Sequence, residues 1–107
     1  MAKPVRLREL AADDLDDATG YYLEHAGPQT TLEFVDAVER AFGWLGRNPR
    51  VGSLRFAHEL DIPELRAVQI ARFPYVAFYV DSPETIDVWR ILHTRRDMPT
   101  TLRRPDE

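Results

Sequence analysis

The segment Tyr75-Val76-Ala77-Phe78-Tyr79-Val80 constrains the fold of this chain more than any other. Successive side chains of a strand point to opposite faces, and here every one of them is apolar. Such a strand suits the centre of a sheet covered on both sides. Phe73-Pro74 precedes it as a tight link, and Asp81-Ser82-Pro83-Glu84 follows with turn composition. Strand-like runs flank it: Leu65-Arg66-Ala67-Val68-Gln69-Ile70 before and Thr85-Ile86-Asp87-Val88-Trp89-Arg90-Ile91-Leu92 after. Links this short imply an antiparallel meander. Leu54-Arg55-Phe56 reads as one more strand, set apart by Asp61-Ile62-Pro63-Glu64. In the last strand, alternation places Trp89, Ile91 and His93 on one face, and Val88, Arg90 and Leu92 on the other.

Before Gly52 the period is helical. Val5-Arg6-Leu7, with Leu10, reads as a short first strand. Asp13 or Asp14 is then placed to cap a helix, and the acids Asp13, Asp14, Asp16 and Asp17 suit its N-terminus through the macrodipole. Ala11, Leu15, Ala18 and Tyr22, with Ala12 and Thr19, recur at helical spacing. Gly27-Pro28 breaks this helix and opens the next. The second helix carries a stripe of Leu32, Val35, Val38, Phe42 and Leu45, widened by Phe34 and Ala41, and ends at Gly46 and Asn48-Pro49. The expected fold is α+β: an N-terminal strand, an antiparallel two-helix hairpin, then a three- to four-stranded antiparallel meander with the hairpin on one face.

A chain of 107 residues fits one domain, expected over residues 3–98, with a polar, Arg-rich and mobile tail over 99–107. There is no cysteine, which excludes disulfides, thiolate nucleophiles and Cys-type zinc sites and suits a reducing cytosol. The start has no apolar run of the signal-peptide kind, and no stretch approaches the ~20 apolar residues that span a bilayer. A cytoplasmic protein without membrane contact is expected. The net charge of −4 argues against a general grip on nucleic-acid phosphates, and no sequence-specific nucleic-acid binding is expected. Charge is uneven, however: Arg90, Arg95, Arg96, Arg103 and Arg104 stand against Asp97 alone. That basic end is either a solvated tail or a surface for an acidic partner.

No cofactor or metal is expected. His25, His58 and His93 lack ligand spacing, and the acids from Asp13 to Asp17 lack the glycine and glutamate pattern of a calcium loop. There is no glycine-rich phosphate loop. A metal-independent ribonuclease would need a general acid or base and cations about the scissile phosphate. His93, Arg66, Arg72, Arg90 and Arg95 are the candidates, with Arg66, Arg90 and His93 foremost. A structural or partner-contact role is the competing account of His93.

Several phrases, in order, carry a resemblance: Ala12-Asp13-Asp14-Leu15 with Tyr21-Tyr22; Leu45 with Asn48-Pro49-Arg50-Val51-Gly52; Ile62-Pro63-Glu64-Leu65-Arg66; Phe73 to Tyr79; and Arg90-Ile91-Leu92-His93-Thr94-Arg95-Arg96-Asp97. From about Val5 to Pro99 the chain resembles the ParE/RelE toxin family of bacterial type II toxin–antitoxin systems. Its ending resembles the ParE branch, whose members poison DNA gyrase. RelE-like members instead cleave messenger RNA on the ribosome and tend to be strongly basic; this chain has one lysine, Lys3, and no tyrosine after Tyr79. The resemblance implies a gyrase inhibitor that binds rather than catalyses and is neutralised by a cognate, ParD-like antitoxin. A RelE-like endoribonuclease, or an inactive member that only binds antitoxin, are the alternatives. The expected target contact is Arg90, His93, Arg95, Arg96, Asp97, Arg103 and Arg104. The expected antitoxin contact is Leu15, Tyr22, Leu54, Phe56 and Arg66, through a helix laid on the hairpin or a strand added at a sheet edge near Leu54 to Phe56.

Overall fold

The computed structural model describes residues 2–96. The chain runs through β1 (Val5–Leu7), α1 (Glu9–His25), α2 (Gly27–Arg47), α3 (Arg55–Glu59), β2 (Arg66–Gln69), β3 (Tyr75–Asp81) and β4 (Ile86–His93). One four-stranded sheet has the order β1-β4-β3-β2. The meander is as expected, with β2 antiparallel to β3 and β3 antiparallel to β4. β1 joins it parallel to β4, which makes the sheet mixed. The hairpin of α1 and α2 supplies the long connection between β1 and the meander, so that β1 need not turn straight back beside a neighbour.

β3 is buried from Tyr75 to Tyr79 because both sheet faces are covered. On the helix side Tyr75, Ala77 and Tyr79 meet Phe34, Val38, Ala41 and Leu45 of α2 and Ala11 and Ala18 of α1. On the other side Val76 and Phe78 pack with Ile62, Leu65, Trp89 and Leu92, closed over by Phe56 and Leu60.

Four local expectations change. First, α1 starts at Glu9, ahead of the acidic cluster: Arg8 is its extended N-cap and the Arg8 carbonyl accepts the Ala12 N–H at 2.9 Å. Glu-Leu-Ala-Ala propagates helix well enough without a side-chain cap, and Leu10 is an exposed helical residue rather than part of a strand. Second, the buried line of α2 is Phe34, Val38, Ala41 and Leu45, while Leu32 is 62% exposed. Leu32 lies about 200° round the helix from Phe34. Gly46 is inside α2 rather than ending it. The Lys3 N–H donates to the Gly46 carbonyl at 2.8 Å, and a Cβ on Gly46 would stand 2.7 Å from the Lys3 carbonyl oxygen.

Third, the expected strand at Leu54-Arg55-Phe56 is the start of α3, with Leu54 as N-cap. Phe56, Ala57 and Leu60 are the residues that turn inward, a helical spacing that alternation would not bury. The edge beside β2 is partly filled by Ser53, whose N–H and carbonyl pair with Ala67 at 2.9 Å each. Fourth, β4 bulges. Phe78 pairs with Arg90 but Tyr79 with Val88, which leaves Trp89 as the extra residue. Ile91 therefore shares the helix-side cluster with Val88, while Trp89 lies with Leu92 on the far side. The simple alternation expected for this strand does not hold.

Candidate functional site

The bulge decides what Arg90 does. Its guanidinium meets Asp14 of α1 through two parallel bonds, Nε to Oδ2 at 2.8 Å and Nη2 to Oδ1 at 2.9 Å. The Ile91 N–H donates to the same Oδ2 at 2.9 Å. Here β4 runs past the end of β1, so a main-chain donor that no strand takes is met by a carboxylate. Both side chains are largely buried, with 18% and 14% exposure. Asp14, read from sequence as one of a helix-start cluster, is instead a strand-edge cap and ion-pair partner. Its spacing of four residues from Ala18 and three from Ala11, both buried, was the available sign that it faces inward.

Beside this pair lies a cleft of about 400 Å³ lined by Asp14, Asp17, Tyr21, Tyr75, Arg90 and Arg96. Arg96 donates from Nη2 to the Tyr75 hydroxyl at 3.3 Å and lies over the Tyr21 ring, 5.8 Å from its centroid. Tyr22, behind it, packs against Phe34, Phe73 and Tyr75. Burial pushes the Tyr22 phenol above its ordinary pKa, helped by Tyr75 and Tyr21 and opposed by Arg96. His93 ends β4, opposite Tyr75 in the register, and its Nδ1 accepts the Arg95 N–H at 3.1 Å. Arg95 and Arg96 are exposed. Arg90, His93 and Arg96 thus come together at one end of the sheet. Asp97, Arg103 and Arg104 lie outside the described residues.

Arg66 is elsewhere. Its Nη1 donates to the carbonyls of Arg50 at 3.0 Å and Gly52 at 2.9 Å. The same loop is held by Tyr79, whose hydroxyl accepts the Gly52 N–H and donates to the Pro49 carbonyl, both at 2.9 Å. A Cβ on Gly52 would meet the Tyr79 hydroxyl at 2.6 Å and its ring at 2.7–2.9 Å, so only glycine fits there. Burial raises the Tyr79 pKa, and the Gly52 hydrogen bond and Arg66 offset this in part.

The residues named for antitoxin contact are dispersed. Leu15 and Tyr22 pack against the helix-side core, Phe56 lies on Phe78 with ring centroids 5.3 Å apart, Arg66 binds the loop, and Leu54 is exposed. A larger groove, about 730 Å³, runs between α2 and the β2–β3 turn. Ala37, Ala41, Trp44 and Phe73 give it an apolar lining, and Glu33, Asp36, Arg40 and Arg72 add charge. Arg72 has left-handed backbone, φ 73°, in the turn. Sequence reading missed this groove. The one sign was Trp44, an aromatic off the buried stripe of α2 and 45% exposed.

Among the described residues no group of three or more His, Cys, Asp or Glu side chains converges to hold a metal ion. No described helix is long and apolar enough to cross a membrane.

The family model described as ParE toxin of type II toxin-antitoxin system, parDE, matches residues 5–98. A solved structure titled "Chromosomal ParDE TA system from P. aeruginosa" superposes with a TM-score of 0.71 at 22% identity, covering 88% of this chain and 98% of that one. At that identity the likeness is one of fold. No curated protein matches by sequence.

Proposed function

We propose a function on one premise: the chain belongs to the ParE toxin family of type II toxin–antitoxin systems. Its action is to bind DNA gyrase and block strand passage, in the cytoplasm, until a cognate antitoxin neutralises it. The observation that carries a binding mode is the engagement of the cations a nuclease would use. Arg90 is held bidentately by Asp14, and Arg66 by two main-chain carbonyls. A group already committed to the fold is poorly placed to follow a proton or charge through a reaction. The exposed cations at the end of the sheet, Arg95 and Arg96, are where an acidic partner can be met.

The antitoxin is assigned to the α2 groove. Its apolar lining suits one face of an amphipathic helix, with basic side chains toward Glu33 and Asp36 and acidic ones toward Arg40 and Arg72. Strand addition at β2 is less favoured, because Ser53 already takes the outward main-chain groups of Ala67.

Supercoiling by gyrase from the chain's own host is the test. Purified protein should inhibit it, and added antitoxin should restore it. Undisturbed supercoiling together with messenger-RNA cleavage on stalled ribosomes would replace this reading with the endonuclease one. Growth arrest on expression without antitoxin excludes an inert family member.

A further inference from the structure

His93 closes β4 in a manner that depends on its own protonation. Nδ1 accepts the Arg95 N–H at 3.1 Å and stands 3.4 Å from the Arg96 nitrogen. A ring nitrogen that accepts from an amide carries no proton, so the proton of the neutral ring is on Nε2. The ring stands edge-on to Tyr75, with centroids 5.3 Å apart, and the Thr94 N–H donates to the Pro74 carbonyl at 2.9 Å. The turn so formed delivers Arg96 to the Tyr75 hydroxyl and the Tyr21 ring. Among the described residues, charged and titratable groups near it include Tyr75 of β3, Arg95 and Arg96 of the turn, Arg90 of β4, and Asp14, Asp17 and Tyr21 of α1 across the cleft.

We propose that His93 is a proton-operated latch on the turn at residues 94–96. With the ring neutral, Nδ1 holds the turn closed. Protonation makes Nδ1 a donor facing main-chain donors and adds a cation beside Arg95 and Arg96, and the turn opens with Arg96 leaving Tyr75 and Tyr21. The proton comes from solvent and stays on the ring. The open form binds it more tightly, so the closed turn is favoured as pH rises. The latch stands on geometry alone. Its consequence for gyrase, a pH-dependent presentation of Arg95 and Arg96, rests on the target reading above.

The test follows the full chain by NMR from about pH 8 to about pH 5, a span that brackets imidazole titration. The Arg95 amide should lose its protection from exchange with the same midpoint as the His93 ring signals. His93→Asn, whose side-chain oxygen can accept the same amide two residues on without titrating, should keep the Arg95 amide protected throughout. His93→Ala should leave it unprotected at both ends. An Arg95 amide indifferent to pH, one that follows a different midpoint, or an unchanged response in His93→Asn overturns the latch. None of these readouts involves gyrase, so a failure of the target reading leaves them unaffected.

Discussion

Replacing Asp14 by alanine should cost more than any other single change on α1. The carboxylate makes two charge-assisted bonds to Arg90 and one to the Ile91 amide, at 2.8–2.9 Å. With side-chain exposures of 14% and 18%, solvent screens the pair only in part. Bonds to charged groups contribute about 1.5–3 kcal/mol each when lost singly, but they share one carboxylate and are not additive. A total of about 2–4 kcal/mol is expected for Asp14→Ala. For a domain of this size that lowers Tm by roughly 8–32 °C, at about 4–8 °C per kcal/mol. Arg90→Ala should cost a similar amount, since it leaves Asp14 with only the amide. The informative measurement is the double-mutant cycle by urea denaturation, read as midpoint changes at constant slope. The double variant should be little worse than either single one, giving a coupling of about 2–3 kcal/mol. A coupling within about 0.5 kcal/mol of zero, the scatter between independent sites, would refute the argument that this pair joins α1 to the bulged strand. Asp14→Asn keeps an acceptor for the Ile91 amide and should lose about half as much, on the order of 1–2 kcal/mol.

Tyr79→Phe strands the Gly52 N–H and the Pro49 carbonyl and should cost about 1–3 kcal/mol by denaturant midpoint; Gly52→Ala, which drives a Cβ into the same ring, should be at least as damaging. Because burial raises the Tyr79 and Tyr22 pKa above 10, their neutral forms stabilise the fold below about pH 10, and that contribution should fade as pH climbs through the raised values. An alkaline unfolding curve for Tyr79→Phe as steep as that of the parent would count against a role for Tyr79 in it. Trp44→Ala should weaken antitoxin binding tenfold or more, roughly the scale of an interface anchor, with little change in Tm; calorimetric titration giving parental affinity would move the antitoxin off the α2 groove. Changing Arg95 and Arg96 together to alanine should reduce gyrase inhibition while leaving the fold intact, and full inhibition by that variant would remove these residues from the target surface.

What the sequence determined by itself is the layering. An apolar run with no polar face, Tyr75 to Val80, must lie at the centre of a sheet, and two helical stretches joined at Gly27-Pro28 must cover one side of it. The left-handed Gly27, φ 90°, and the continuous β2-β3-β4 meander are local consequences of residues close in sequence. The parallel pairing of β1 with β4 was not legible, because it joins segments some eighty residues apart through main-chain groups that every residue carries. Nor was the bulge at Trp89, since alternation has no means of marking an extra residue until a partner strand is laid beside it. That one residue reverses the faces of Arg90 and Ile91, and so decides that Asp14 is spent on the sheet rather than on a helix end. The groove is a still later product: Trp44 and Phe73 are ordinary apolar residues in their own elements, and line one surface only when α2 lies beside the β2–β3 turn. Composition and period fix which layers must pack; which face of α2 is buried, and the directions of the last polar contacts, are fixed by packing between distant segments.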